Sequence, residues 1–115
     1  MTVKQLASAL SLKFLTQPDE AQAAREISGV YVGDLLSRAM SRVESDDLWI
    51  TIMSNVNVVA VAALTDPACV LLCEDVDADA SVLEKAEENG ITLLQSPHSA
   101  YELCVQFHKL CETVS

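Results

Sequence analysis

The sequence predicts an α/β domain, a mostly parallel sheet with helices packed on it. Three observations carry that expectation. From residue 47 onward, strand-like and helix-like patterns alternate as β-α-β-α-β-α with short connections, the order that yields parallel strands joined by right-handed crossovers. Two of the strand-like runs, "DLWITIMS" (47–54) and "ACVLLCE" (68–74), are largely apolar, as strands buried inside a sheet are. No linker, repeat or low-complexity stretch divides the chain, so residues 1–115 read as one domain.

Taken in order, "TVKQLASAL" opens with Thr2 and carries Gln5 three residues later, a capping-box pattern. Val3, Leu6 and Leu10 then make one apolar stripe. "LKFLT" (12–16) reads as a short strand and "QPDEAQAA" (17–24) as a loop. "REISGVYV" (25–32) is a β run broken by Gly29. "DLLSRAMSRV" (34–43) is a helix with Asp34 as its N-cap and Leu35, Ala39 and Val43 spaced to face a core.

After the strand at 47–54, "NVNVVAVAALTD" (55–66) mixes strand-favouring Val with the helix-capping Asn55 and Asn57. A crossover helix is the economical reading, because a second buried strand follows. "SVLEKAEENG" (81–90) is a helix with a Ser81…Glu84 box and Gly90 as its stop, "ITLLQS" (91–96) a strand, and 99–114 a final helix with a Ser99…Glu102 box. The run "VVAVAAL" is apolar on every side, so one face should meet the sheet and the other a second subunit; a homodimer is expected.

Half of the residues are apolar but only 4% are aromatic, so the core is aliphatic. The net charge of −10, from 17 acidic and 7 basic residues, argues against nucleic-acid or anionic-membrane binding, which need clustered Lys and Arg. Only Arg38 and Arg42 sit close together on a helix face. No apolar stretch approaches the roughly 20 residues that cross a bilayer, and "MTVKQLASALSLKFL" is too broken by polar residues for a secretory signal. A cytoplasmic protein is expected. Cys69 and Cys73 in a strand would stand roughly 13 Å apart, and Cys104 and Cys111 lie two turns apart on one helix, so neither pair can bridge.

The order "REISGVYVGDLLS" (25–37) resembles the DRTGG domain, a family with a Gly-Asp-Leu-Leu-Ser segment after its naming motif. The resemblance continues through "WITIMSNVNVVAVAALTDPACVLLCE" and "KAEENGITLLQSPHSAYEL" and covers nearly the whole chain. Within the naming motif, Arg25 and Gly29 keep their places, while Ala24 stands for the Asp, Ser28 for the Thr and Val30 for the second Gly. The resemblance implies a fold like the N-terminal domain of HPr kinase/phosphorylase and a regulatory or assembly role. Domains of this family accompany phosphotransacetylase-like enzymes and pyrophosphatases with nucleotide-sensing domains. It does not imply kinase activity, since in HPr kinase the phosphate-binding loop lies in the other domain and nothing here spells G-x-x-x-x-G-K-[ST].

Ligands of open parallel sheets settle beyond the carboxyl ends of the strands. The turns expected there are 29–34, 54–57, 74–81 and 96–99, and they offer Gly29, Gly33, Asp34, Asn55, Asn57, Ser96 and His98 as candidate ligand contacts. Each also has a plain structural reading. The glycines suit a tight turn, Asp34 caps a helix and would repel phosphate, and the asparagines satisfy a helix start. His98 reads equally as an exposed loop residue.

Metal sites are not expected. "DVDADA" imitates a calcium loop through Asp75, Asp77 and Asp79, but Ala80 and Ala86 replace its Gly and Glu. The sulfurs of Cys104 and Cys111 are roughly 10 Å apart on a straight helix, too far for one ion. No catalytic constellation and no cofactor motif is found. The expectation is a non-catalytic regulatory module that self-associates and docks to a partner enzyme, gated by a small ligand at the strand ends. The alternative is a dedicated small-molecule sensor, for an adenine nucleotide.

Overall fold

Thr2 and Gln5 exchange hydrogen bonds with each other's backbone N–H groups, at 3.1 and 2.9 Å, and this box opens helix α1 (Val3–Ala9). The computed structural model describes residues 1–114. The chain continues through β1 (Lys13–Phe14), α2 (Glu20–Ala23), β2 (Gly29–Val32), α3 (Leu36–Arg42), β3 (Asp47–Thr51) and α4 (Val56–Thr65). It ends with β4 (Cys69–Leu72), α5 (Ala80–Glu88), β5 (Leu93–Gln95) and α6 (Ala100–Val114). Among the described residues the strands make one sheet in the order β1-β5-β4-β3-β2. Strands β2 to β5 are parallel, and β1 is antiparallel at the edge beside β5. The α/β class with a mostly parallel sheet is the class the sequence predicted.

Side chains alternate across each strand, and here both faces are covered. Trp49, Val70, Leu72 and Leu93 point to one side, where α3, α4 and α5 pack on them. Leu48, Ile50, Cys69, Leu71 and Leu94 point to the other, under α1 and α6. That two-sided burial explains why the strand sequences are nearly continuous apolar runs. The indole N–H of the fully buried Trp49 donates to the Gly33 carbonyl at 3.1 Å, so its polar atom is satisfied.

Several local expectations are corrected. Residues 20–23, expected in a loop, form a one-turn helix under a second capping box, Asp19 with Gln22. Gln22 also donates to the Gly90 carbonyl at 2.7 Å, which fixes that turn on the body. Gly29 does not break a strand but begins one: residues before it bridge antiparallel to the amino terminus (Thr2 with Glu26), and the parallel ladder starts at Gly29 beside Asp47. Helix α3 starts after Leu35, not at Asp34, and it turns Leu36 inward while Leu35 stays 64% exposed. Helix α5 starts at Ala80 behind Asp79, so Ser81 lies within its first turn and makes no cap. Gly90 does adopt the left-handed conformation, φ +67°, beyond that helix. Helix α4 buries Val58, Val59, Val61 and Ala62 on the sheet.

The amino end of the sheet is clamped by Arg25. Its guanidinium donates to Asp46 Oδ1 at 2.7 Å, to Asp66 Oδ1 at 3.0 Å and to the Asp66 carbonyl at 2.6 Å. Asp46 and Asp66 both have left-handed backbones, φ 70° and 62°, which non-glycine residues hold only with compensation. Burial opposes the charge on Arg25, yet the hydrogen bonds and charges of Asp66 and Asp46 outweigh it and hold its pKa above the ordinary value. Beside this clamp, a Cβ on Gly29 would sit 2.7 Å from Asp47 Oδ1. That carboxylate is not free to move, because it is buried and accepts the Glu44 N–H at 2.9 Å.

Arg25→Ala should lower the free energy of unfolding by about 1–3 kcal/mol, the range for hydrogen bonds to charged groups at a partly exposed site. Gly29→Ala should cost about 1–3 kcal/mol through overpacking. Urea unfolding checks both: the midpoint falls while the slope is unchanged. Arg25→Lys should recover only part of the loss, because one ammonium cannot span both aspartates. Midpoints equal to wild type would remove the clamp from the account.

Candidate functional site

The four parallel strands end on one edge of the sheet, and α3, α4, α5 and α6 all begin there. Six of the seven candidate residues sit on this carboxyl edge. Gly29 does not: it starts β2 and lies at the opposite end, beside the Arg25 clamp.

Gly33 follows β2 directly. A Cβ there would meet the Tyr31 ring, 2.9 Å from its hydroxyl, so the bare glycine lets the ring fold back over the turn. Asp34 comes next, and it caps no helix. Its Oδ1 accepts from the Thr51 hydroxyl and from the Ile52 N–H, both at 2.8 Å. Ile52 is the first residue past β3, so Asp34 latches the end of one strand to the end of its neighbour. Helix α3 is left with Leu35 at its N-cap and no side-chain cap bond. Asn55 does cap α4, its Oδ1 accepting the Asn57 N–H at 3.0 Å, and the Asn57 side chain is exposed.

The β4 and β5 loops are fastened to each other. Glu74 and Asp75 are successive left-handed residues, φ 55° and 59°. Their N–H groups donate to the carbonyls of His98 and Ser96, both at 2.8 Å. Ser96 is buried, and its hydroxyl accepts the His98 N–H at 3.1 Å. Gln95 donates from Nε2 to the Val76 carbonyl at 2.9 Å and to Asp77 Oδ1 at 2.8 Å. Gln95, Thr51 and the Glu74–Asp75 pair hold the rim together, yet sequence reasoning missed them. No glycine marks the left-handed turn, and a glutamine ending a strand carries no local signal.

The His98 ring does not look into the crevice. Its Nδ1 lies 3.2 Å from Glu102 Oε2. The ring borders an open groove of about 490 Å³ between the end of α1 and α6, lined also by Leu10, Ser11, Gln106, Lys109 and Thr113. At the carboxyl edge itself, the gap among Met53, Asn55, Val58, Leu72, Val82 and Leu93 is too narrow to admit a water-sized sphere. Its lining is apolar, and it offers none of the roughly 300–1,000 Å³ of small-molecule pockets.

The rim is acidic. Asp34, Glu74, Asp75, Asp77 and Asp79 are exposed on it, and segments 33–34, 52–55, 73–79 and 96–99 contain no Lys or Arg. A polyphosphate placed here would meet a repulsive field. Among the described residues, no group of three His, Cys, Asp or Glu side chains is arranged to hold a metal ion. Cys73 lies under the rim, its thiol pKa raised by burial and then by the charges of Glu74 and Asp34. Burial pushes Cys69 up to about 12 and also raises Cys104. These thiols are poor nucleophiles at neutral pH.

The DRTGG domain model matches residues 5–110 of the chain. Among solved structures, the fold is similar to the CBS and DRTGG domains of the regulatory region of Clostridium perfringens pyrophosphatase, complexed with its activator, diadenosine tetraphosphate. The TM-score is 0.75 at 14% sequence identity, over 91% of this chain and 45% of that one. At that identity the likeness is one of fold, and the chain spans less than half the length of its neighbour. No curated protein matches. Among the described residues, no helix is long and apolar enough to cross a membrane.

Two outcomes follow from the rim. Asp34→Ala strands the Thr51 hydroxyl and the Ile52 N–H, at a cost of about 1–3 kcal/mol. Amide exchange at Ile52 should accelerate while that at Leu71, in the core, follows only global stability; an unchanged Ile52 rate would refute the latch. The second concerns Glu102, which accepts from the Ser99 N–H at 3.2 Å and closes the box at the start of α6. Hydrogen bonds from Ser99, backbone first and then hydroxyl, lower its pKa below the ordinary 4.5, and His98 adds to this. A depressed folded pKa means the contribution is complete above pH 4.5 and is lost as pH falls through the folded value. Glu102→Gln should therefore flatten the acid limb of the stability–pH curve, and superimposable limbs would count against it.

Proposed function

The chain belongs to the DRTGG domain family, and from that premise we propose a non-catalytic regulatory module that self-associates and docks to a partner enzyme. The observation that carries this reading is the outer face of α4. In a chain of net charge −10, Leu64 is 73% exposed and Val56 46%, with Ala60 and Ala63 open beside them. Met40 of the adjoining α3 is 52% exposed. A contiguous apolar ridge on a small acidic domain is the mark of an interaction surface. Chemistry at the carboxyl edge would need a base beside a nucleophile. The thiol there is buried with a raised pKa, and His98 is turned toward Glu102.

In the same reading a small ligand gates the module at the carboxyl edge, through Gly33, Asp34, Asn55, Asn57, Ser96 or His98. The acidic rim favours a neutral or cationic polar ligand there. A second reading, a dedicated adenine-nucleotide sensor, draws support from the activator bound to the regulatory region of the pyrophosphatase. It requires the phosphates to lie away from Asp34 and the 74–79 loop.

A thermal-shift panel of nucleotides, phosphometabolites and metals separates the two. A ligand at about 100 times its Kd adds roughly 2.7 kcal/mol, which for a domain near this size raises Tm by several degrees, about 4–8 °C per kcal/mol. The docking reading expects a flat nucleotide panel and a Tm that rises with protein concentration, the rise being lost in Leu64→Glu. A nucleotide shift abolished by Asn57→Ala or Asp34→Ala, but kept in Cys104→Ser, would instead establish the sensor.

A further inference from the structure

The proposed self-association can be given a partner surface and an orientation. Helix α4 lies between α3 and α5 on one face of the sheet, packed against both. Its exposed ridge is apolar, but its flanks carry opposite charge. Helix α3 contributes Arg38 and Arg42, both exposed, and no acid. Helix α5 presents Glu84 and Glu88 on its exposed side, while Lys85, 3.7 Å from Glu88, lines the groove beside α4 and Glu87 is turned away to accept the Gln17 N–H at 3.1 Å. Across the ridge the surface therefore runs from net positive, through apolar, to net negative.

We infer that this face binds a second copy of the chain about a two-fold axis running along α4. Rotation about that axis packs α4 on α4 in parallel and exchanges left for right. Helix α3 of each protomer then lies against α5 of its partner, arginines opposite glutamates. A two-fold axis perpendicular to α4 would instead set α3 on α3 and α5 on α5, with like charges facing in both places. Between two chains of net charge −10, such juxtapositions are costly, and complementarity selects the register. Ala60 and Ala63 let the two helices approach, while Val56 and Leu64 supply the apolar area that leaves water.

A standard interface covers about 800 Å² per partner, roughly an eighth of the 6162 Å² surface of the chain. Three helices about 9 Å apart and up to roughly 15 Å long give a flat outline of about 400 Å², half of that, which places the dimer among the small, readily dissociating interfaces. This orientation rests on the self-association reading, and the test below distinguishes failure of one from failure of the other.

Sedimentation velocity over a concentration series, on the full chain and its surface variants, is the experiment. Wild type should dimerise, and Leu64→Glu should be monomeric while Tyr101→Glu, on the exposed side of α6, should not differ from wild type. Arg38→Glu with Arg42→Glu, and separately Glu84→Arg with Glu88→Arg, should each weaken the dimer at least about tenfold. The four changes combined in one chain should restore the Kd to within about threefold of wild type. Charge reversals without effect, or a quadruple variant that stays weak, would overturn the orientation while leaving self-association intact. A wild-type chain that is monomeric at every concentration would overturn both, and a Leu64→Glu dimer would overturn the α4 surface. Far-UV circular dichroism of each variant confirms that the exposed substitutions leave the fold in place.

Discussion

Burial of β3 and β4 on both faces is the constraint from which the rest of the structure follows. A parallel pair such as Leu48-Trp49-Ile50 beside Cys69-Val70-Leu71 has no face that tolerates water, so a helix layer must lie on each side. The crossovers supply one layer, α3 to α5. The chain ends supply the other, α1 and α6, which explains why the first and last helices of the sequence share a single core. That second layer covers β3 to β5 but stops short of β2. Val30 and Val32, on the same face as Leu48 and Ile50, are left 44% exposed at the sheet edge.

The two ends of the sheet are built differently. At the amino end, one guanidinium gathers two left-handed aspartates, and a glycine admits the buried carboxylate of Asp47. Arg25 and Gly29, the positions that keep the naming motif of the family, are the ones whose side chain, or lack of one, is fixed by a tertiary contact. Ala24, Ser28 and Val30, where the motif is altered, are all exposed. The motif in this chain is thus a fastening for the fold, a sheet's length away from the edge where ligands of such sheets bind. The carboxyl end is held by lighter means, side chain to neighbouring loop, and it is electronegative throughout.

The proposed docking role accordingly falls on the helices. The rim offers little enclosed volume and repels phosphate, while the outer face of α3, α4 and α5 is apolar along its middle and oppositely charged on its flanks. The same three helices begin at the rim. A ligand bound there and a protein bound on the outer face would contact the same three-helix layer.

Local pattern was enough to read the strand–helix alternation, the aliphatic core and the capping boxes of Thr2 with Gln5 and Ser99 with Glu102. These depend on contacts three or four residues apart or on side-chain periodicity, and both are written along the chain. The box of Asp19 with Gln22 was equally local, but one helical turn has no periodicity to reinforce it. The resemblance at residues 25–37 also pointed correctly to the family. What the chain could not disclose in one dimension is where distant residues meet. Asp34 was open to reading as a helix cap until β3 placed the Ile52 N–H, 18 residues on, within its reach. Arg25 acquired a role only when Asp66, 41 residues away, came to its side. Gly29 changed ends of the sheet once the parallel register was known. Leu35 and Leu36 exchanged places when α3 took its rotation from the core. Propensity and spacing act within a few residues, so they determined the elements; register, rim and clamp are set by packing between elements, and only the tertiary structure decided them.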